Sequence, residues 1–374
     1  AGKTTLAESM LYLSGRLRRL GRVDHRDTFL DTDEQERQRG ITIFSKQAQI
    51  TMGDRNVTLL DTPGHVDFSA EMERTLQVLD YAVLIVSGAD GVQGHVETLW
   101  KLLASYRIPT FLFINKMDQE GTDRQRLLME LKSRLSGSCL DFSCTRDLSD
   151  VGESGVRAQE FFENIAVCDE SVMEYYLEHE TVTTQQIVRL VKERKVFPCY
   201  FGSALKLTGV QEFMEGFLRY TECPVYPEAF GARIFKITRD AQGNRLTHMK
   251  ITGGTLKVKA LLSGQDTLSG KSHGAGALEQ DRAAELDWEE KVDQIRIYSG
   301  TGYELCMEAS AGTICTVTGL TKTFAGQGLG MEENVNLPIL EPILNYRLEL
   351  PEGCNAHTLL GQLRQLMEEE PLLH

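Results

Sequence analysis

Two stretches decide the fold: VTLLDTPGH at residues 57–65 and TFLFINKMD at residues 110–118, each an apolar run that ends in polar residues. Short apolar runs that alternate with amphipathic helical patterns predict an α/β fold, a mostly parallel sheet with helices on both faces. Open sheets of this kind bind ligands beyond the carboxyl ends of their strands. The polar ends of these two runs therefore predict where the functional site lies.

The same alternation covers the first part of the chain. Further apolar runs stand at 82–87 and 196–201, and between the runs lie helical patterns such as Leu6, Met10, Leu13 and Leu17. That spacing keeps one apolar face on each helix. Residues 138–195 break the rhythm, because they open with a polar, irregular stretch. We predict one α/β domain over residues 1–221, with an inserted subdomain over about 138–195.

A different pattern follows Pro224, where short β-rich segments alternate with glycine and polar turns. It predicts a β-barrel domain over residues 222–335. Residues 336–374 begin a third, α+β domain with one strand pattern and one helix pattern, which cannot bury each other's apolar surface alone. The chain also begins AGKTTL, without methionine. We expect a piece of a longer protein, incomplete at both ends.

Charge and composition exclude several function classes. Lys and Arg number 40 against 54 Asp and Glu, a net charge of −14, which argues against coating DNA, RNA or anionic lipid through bulk charge. The 8 cysteines form no C-x-x-C pair, and no apolar run approaches the roughly 18 residues of a membrane helix. We expect a monomeric cytoplasmic protein that binds neither membrane nor DNA.

Phosphate-binding residues stand in two segments. AGKTT at 1–5 matches the end of a phosphate loop, with Gly2, Lys3 and Thr4 followed by Thr5 at the start of a helix. DTPGH at 61–65 follows a strand, so Asp61 is predicted to support a magnesium ion and the Gly64 amide to reach a terminal phosphate.

Base-binding residues stand in two more segments. In NKMD, the carboxylate of Asp118 accepts the two donors of the guanine edge, with Asn115 beside it and the Lys116 stem over the ring, an arrangement that adenine cannot satisfy. In GSAL at 202–205, a backbone amide after Ser203, within Ala204 and Leu205, is predicted to meet the guanine carbonyl oxygen. A fifth segment, ERQRGITI at 36–43, carries Thr42, which is predicted to close over magnesium and the terminal phosphate.

Together RGITI, DTPGHVDF, VLDYAVLIVSGADGVQ, INKMD and GSAL resemble the translational GTPases of the elongation factor G type, over nearly the whole chain. Within that superfamily, the SGRLRRLGRVD, FLFINKMDQEG and LEPILNYRLEL contexts look more like the tetracycline-resistance ribosomal protection proteins. The resemblance implies a GTPase domain, a β-barrel domain, a third domain and two more beyond it. It implies GTP or GDP and Mg²⁺ as cofactors, and the ribosome, through its RNA and proteins, as partner.

The resemblance also implies individual roles. Lys3 and Thr4 serve phosphates and magnesium, Thr42 senses the γ-phosphate, and Asp61 supports magnesium through water. His65 is the catalytic histidine, which orients the attacking water once ribosomal RNA positions it, and Ile41 is one side of a hydrophobic gate. The family places an aspartate before the position of Ala1, so we expect this chain alone to bind nucleotide poorly.

Several functions remain open at this point. The leading hypothesis is a ribosome-stimulated GTPase that dislodges tetracycline, and its rival is translocation as elongation factor G performs it. From another class comes a nonhydrolytic guanine-nucleotide switch that only binds a partner. A phosphate-loop kinase is disfavoured, because NKMD and GSAL select guanine and the sequence offers no phosphoacceptor site.

Overall fold

The computed structural model describes residues 1–21, 28–30, 45–64, 69–143, 156–264, 288–300, 302–335 and 356–370. The chain divides into two compact units. Unit 1 comprises Ala1–Val66 and Leu79–Cys223, and unit 2 comprises Asp67–Val78 and Pro224–His374. The segment after the DTPG turn is therefore grouped with unit 2, although it lies within the first third of the sequence.

A parallel sheet forms the centre of unit 1, as the sequence predicts, and its strands lie in the order Ala82–Ser87, Thr110–Asn115, Phe197–Phe201 and Cys139–Asp141. Its central strand is buried along its whole length, which explains the uninterrupted apolar run TFLFIN. The strands of unit 1 are β1 (Lys46–Met52), β2 (Arg55–Asp61), β3 (Ala82–Ser87), β4 (Thr110–Asn115), β5 (Cys139–Asp141) and β6 (Phe197–Phe201).

Strand β2 differs from the sequence prediction in its pairing. It forms an antiparallel hairpin with β1, with Met52 opposite Arg55, and within the described ranges it pairs with no parallel strand. The connection passes through Gly53, whose φ of 58° lies in the left-handed region that glycine adopts without steric cost. The prediction for residues 57–61 placed the end of the strand correctly and its start two residues too late, and the antiparallel pairing differs from the parallel pairing that was expected.

The helices of unit 1 pack with this sheet around one apolar core that includes Leu6, Phe113 and Phe213. In the first helix the buried apolar residues are Leu6, Met10 and Leu11, whereas Leu13 is 37% exposed, so the predicted face was wrong at its third position. The helices are α1 (Lys3–Leu13), then, after one helix that belongs to unit 2, α3 (Gly94–Ser105), α4 (Arg124–Arg134), α5 (Val156–Ala166), α6 (Glu170–His179), α7 (Thr184–Lys192) and α8 (Val210–Tyr220).

Unit 2 consists mainly of antiparallel strands. A six-stranded sheet has the order β13-β12-β15-β8-β7-β16, and two further pairs are β10-β11 and β14-β9. The strands are β7 (Gly231–Arg239), β8 (Arg245–Gly253), β9 (Thr255–Lys257), β10 (Leu261–Gly264), β11 (Trp288–Lys291), β12 (Gln294–Ser299), β13 (Gly302–Cys306), β14 (Glu308–Ser310), β15 (Ile314–Thr318) and β16 (Gly328–Gly330).

The core of unit 2 gathers apolar residues from several of these strands, including Ile234, Met249 and Val317. In the described part of this unit the helices are α2 (Ser69–Leu76) and α9 (Ala356–Glu369). The predicted strand of the third domain, LNYRLEL, lies outside the described residues. The domain boundaries at 221 and 335 stay predictions. Every helix in the described ranges is too short or too polar to cross a membrane.

Candidate nucleotide-binding site

The candidate site lies at the carboxyl edge of the parallel sheet in unit 1. Asn115 closes β4 and stands opposite Ser87 at the end of β3, and the GSAL loop follows directly on β6. The N-terminus of α1 lies at the same edge, because the Asn115 side chain bonds to the carbonyl oxygen of Ala1. The structure thus brings together segments that are far apart in the sequence.

Asn115 is the link between these segments. Its Nδ2 donates to the Ala1 carbonyl oxygen at 2.9 Å, and its Oδ1 accepts from the Ala204 amide at 2.9 Å. The side chain is almost fully buried, so both bonds are shielded from water. Gly2 is required beside it, because a Cβ there would lie 2.6 Å from Nδ2 and the backbone φ is 88°. Asn115 therefore holds the phosphate loop and the base loop at a fixed spacing.

The phosphate side of the site contains Lys3, Thr4 and Asp61. The Thr4 hydroxyl donates to Asp61 Oδ2 at 2.8 Å, in a buried position. Lys3 reaches over Gly64 so closely that a Cβ at Gly64 would lie 1.7 Å from the lysine Nζ. Burial lowers the pKa of Lys3 below its ordinary value of 10.5, and the nearby Asp61 partly opposes that shift. A partly buried ammonium whose charged form is disfavoured by burial is suited to an anionic ligand, which would offset that cost.

The same residues fit a magnesium ion. Mg²⁺ prefers a few protein oxygens and keeps the rest of its shell for water and phosphate. The Thr4 hydroxyl and the Asp61 carboxylate supply two such oxygens 2.8 Å apart. The described residues contain no group of three or more histidine, cysteine or acidic side chains suited to a metal.

Asp118 of NKMD faces the GSAL loop. A hydrogen bond from the Ser203 hydroxyl, and further contacts with Lys206, lower the pKa of Asp118, so its carboxylate is ionised. Lys206 Nζ lies 3.2 Å from Asp118 Oδ2. The turn itself is tight: Lys116 has a φ of 64°, and the Met117 amide donates to the Gly202 carbonyl oxygen at 3.0 Å. An ionised carboxylate is thus held where two donors of a base can meet it.

The GSAL loop is compact and presents one available amide. Gly202 has no room for a side chain, since a Cβ would lie 2.2 Å from the Thr208 carbonyl oxygen. The Ser203 amide donates to Thr208, and the Ala204 amide to Asn115. The Leu205 amide has no acceptor among the described residues. The Leu205 amide is thus available for the role that the sequence argument predicts for this loop.

The geometry unites most of the predicted residues. Gly2, Lys3, Thr4, Asp61 and Gly64 lie together on the phosphate side, with Thr5 in the first turn of α1. Asn115, Lys116, Asp118 and residues 202–205 lie together on the base side. Ile41, Thr42 and His65 lie outside the described residues, so their roles stay predictions.

Sequence reasoning missed two buried polar residues of α1. Glu8 accepts hydrogen bonds from the amides of Phe29 and Leu30, at 2.8 and 3.1 Å. The Ser9 hydroxyl lies 2.8 Å from the Ala204 carbonyl oxygen. A signal was present, because Ser9 stands three positions after Leu6, on the face that the helical pattern assigns to the core. A polar residue there indicates a buried hydrogen bond, but the pattern does not identify the partner.

Comparison with known proteins gives a consistent result. The family model described as "Elongation factor Tu GTP binding domain" matches residues 1–223. The chain is 28% identical to the tetracycline resistance protein TetP of Clostridium perfringens and 29% identical to elongation factor G of Dehalococcoides mccartyi, with 100% and 99% of this chain covered. It spans 57% and 60% of the lengths of these relatives.

A similar solved structure comes from Thermus thermophilus. It has a TM-score of 0.79 and 24% sequence identity, and the match covers 99% of this chain and 59% of that one. At this identity the likeness establishes the fold alone.

Proposed function

The chain belongs to the elongation factor Tu GTP binding domain family, within the elongation factor G superfamily of translational GTPases, and on that premise we propose that it is part of a ribosome-stimulated GTPase that protects translation from tetracycline. The observation that carries the nucleotide-binding part of the proposal is the single asparagine, Asn115, which joins the start of α1 to the GSAL loop. That spacing suits a nucleoside polyphosphate, with its base at one end and its phosphates at the other.

Each end of the nucleotide has its own residues in this proposal. The Lys3 ammonium and the amides at the start of α1 bind the phosphates, as helix N-termini favour anions. Thr4 and Asp61 would hold Mg²⁺, which would supply positive charge beside the phosphate oxygens. Asp118 accepts the two donors of the guanine edge, and the Leu205 amide donates to its carbonyl oxygen. Gly64 supplies a backbone amide beside the terminal phosphate.

Hydrolysis is assigned to His65 and Thr42 by the resemblance. His65 orients the attacking water, and Thr42 closes over the γ-phosphate and magnesium. The proposed partner is the ribosome, so the protein acts in the cytoplasm. The role in tetracycline protection, rather than translocation, rests on the sequence contexts quoted above and on the similarity to TetP. Translocation is the second candidate, because the similarity to elongation factor G is equally high.

Base recognition is tested by Asp118→Asn in the full-length protein. The amide offers a mixed donor and acceptor in place of two acceptor oxygens, so preference should move from guanosine toward xanthosine diphosphate. Calorimetric titration with both nucleotides measures the change. Unchanged affinity for GDP would remove Asp118 from the base site.

The biological role is tested by translation in vitro. Full-length protein with GTP should restore synthesis that tetracycline inhibits, and should not support synthesis in an extract depleted of elongation factor G. The opposite pair of results would favour translocation.

Hydrolysis is tested by measuring ribosome-stimulated GTP turnover of a His65 variant of the full-length protein. His65→Ala should leave GTP affinity near normal and reduce ribosome-stimulated turnover by a factor on the order of 10²–10⁴, the range for a positioned acid–base group. Full activity of this variant in the tetracycline assay, without turnover, would favour the nonhydrolytic switch instead.

A further inference from the structure

We propose that Ser9 is a positioning residue of the base site, whose hydroxyl orients the peptide unit between Ala204 and Leu205 so that the Leu205 N–H meets the guanine carbonyl oxygen. The inference rests on the proposed function, because it concerns the base that Asp118 is proposed to bind. It adds a residue of the phosphate helix, outside every nucleotide motif of the sequence, to the recognition of the base.

Ser9 is completely buried in α1, and its hydroxyl has two carbonyl neighbours. The Thr5 carbonyl oxygen, in the same helix, lies at 2.7 Å, and the Ala204 carbonyl oxygen, 195 residues away in the chain, lies at 2.8 Å. A serine inside a helix commonly bonds back to its own helix. Here the bond to Ala204 crosses from α1 to the GSAL loop in a site without bulk water. Such a bond ties the helix that carries Lys3 and Thr4 to the loop that follows β6.

The hydrogen bond from Ser9 to Ala204 fixes the orientation of a whole peptide unit. The Ala204 carbonyl and the Leu205 N–H belong to one planar trans peptide unit, in which they point in opposite directions. The Leu207 amide donates to the same carbonyl oxygen from within the loop at 3.2 Å, and Ser9 holds that oxygen from the side of α1, so the N–H is directed away from α1. Asn115 fixes the preceding peptide unit in the same way, through the Ala204 amide. Two side chains from different elements therefore set two consecutive peptide planes.

The Leu205 N–H is the available donor of this loop among the described residues. Guanine presents a carbonyl oxygen to such a donor, whereas adenine presents an amino group at the same position, which is itself a donor. A donor held at a fixed angle discriminates more strongly than a mobile one, because a misplaced hydrogen bond loses most of its strength. Ser9 is thus expected to affect which base binds, and not only whether the protein folds.

The test compares GDP with 6-thioguanosine diphosphate, which keeps both donors for Asp118 and replaces only the carbonyl oxygen with the weaker acceptor sulfur. The full-length protein is titrated with each nucleotide by calorimetry. Ser9→Ala should lower GDP affinity by about 5- to 10-fold, the effect of one lost hydrogen bond, and should change 6-thioguanosine diphosphate much less. The ratio of the affinity for GDP to the affinity for 6-thioguanosine diphosphate should therefore fall by about the same factor.

Two further variants make the result specific. Ser14→Ala removes a hydroxyl that bonds at 3.0 Å to Leu11 within α1 itself, and it should leave the preference unchanged. Ser9→Thr keeps the hydroxyl and should retain the preference. Equal weakening of both nucleotides by Ser9→Ala, or loss of the preference in Ser9→Thr, would overturn the inference and leave Ser9 a structural residue. If the unaltered protein binds neither nucleotide, the proposed function fails together with it.

Discussion

The candidate nucleotide site of unit 1 and the contact between α2 and the six-stranded sheet in unit 2 differ in whether their charged side chains form ion pairs within the protein. In unit 2, Glu71 of α2 forms ion pairs with Lys236 of β7 and with Arg74, all of them at most 8% exposed. Arg74 also pairs with Glu370 at 2.9 Å. In unit 1, Lys3 has no carboxylate within ion-pair distance among the described residues, and neutral Asn115 and Ser9 order the loops.

The difference indicates what each region is built to do. In unit 2 the buried charges neutralise one another and attach α2 to the sheet, so little charge is left for a ligand. In unit 1 the Lys3 ammonium is partly buried, and a bound phosphate would offset the free-energy cost of that burial, while the uncharged Asn115 and Ser9 hold the loops in place. The paired charges of Glu71, Lys236 and Arg74 therefore indicate a structural role, whereas the charge of Lys3, which has no ion pair among the described residues, indicates a ligand-binding role.

The largest expected effect is that of Glu71→Ala, which removes the carboxylate that pairs with both Lys236 and Arg74. Glu71→Ala leaves Lys236 and Arg74 buried with less compensation, which should lower the free energy of unfolding of unit 2 by about 3–5 kcal/mol. These 374 residues contain 2 tryptophans, Trp100 in unit 1 and Trp288 in unit 2, so urea unfolding of this chain in a Trp100→Phe background reports unit 2 alone.

The matched control for Glu71→Ala is an exposed pair of the same unit. Glu308 lies 3.9 Å from Lys257, and both side chains are more than 60% exposed. Glu308→Ala should change the free energy of unfolding by no more than about 0.5 kcal/mol. Similar losses in the two variants would erase the distinction between buried and exposed pairs.

A smaller effect, on GDP affinity instead of on the free energy of unfolding, is expected for Lys3→Met. In the full-length protein, GDP affinity should fall on the order of 100-fold, about 3 kcal/mol, because a charge-assisted contact with phosphate is lost. The free energy of unfolding of unit 1 should not fall, since burial lowers the pKa of Lys3 and its charge therefore costs stability. For the same reason, the unaltered protein should gain stability as pH rises toward 10.5.

Lys3→Met is measured by calorimetry and by Trp100 fluorescence, with Lys101→Met, an exposed lysine of α3, as control. A clear loss of stability in Lys3→Met would mean that its charge is paired within the protein. The contrast between the two units would then disappear.

The smallest expected effect concerns His248 on β8. Its ring nitrogens lie 2.8 and 2.9 Å from the hydroxyls of Thr238 and Thr316. Burial, with a contribution from Lys236 that Glu71 partly opposes, lowers the pKa of His248 to about 3. The unfolded chain therefore binds a proton before the folded one does, and stability falls as pH drops below 6.5.

Between about pH 7 and about pH 5, the loss from His248 should be about 2 kcal/mol. Urea unfolding followed through Trp288 measures it, and His248→Gln should flatten the pH dependence, whereas His179→Gln on the exposed end of α6 should not. An unchanged slope in His248→Gln would show that other groups set the acid sensitivity of unit 2.

Much of the fold and most of the site follow from the sequence, because their signals are local. Each motif stands directly after an apolar strand, and the carboxyl ends of neighbouring parallel strands lie at one edge. That rule suffices to bring NKMD and GSAL together. Helix and strand extents follow from periodicity for the same reason, as β3 at Ala82–Ser87 illustrates.

What only the tertiary structure decided depends on contacts between distant residues. The antiparallel pairing of β2, the burial of Leu11 in place of Leu13 and the inclusion of α2 in unit 2 each depend on what packs opposite. The clearest case is Ser9, whose hydroxyl finds the Ala204 carbonyl oxygen 195 residues away. Periodicity shows that a position is buried, but a buried polar group is satisfied by a partner that the local sequence does not contain.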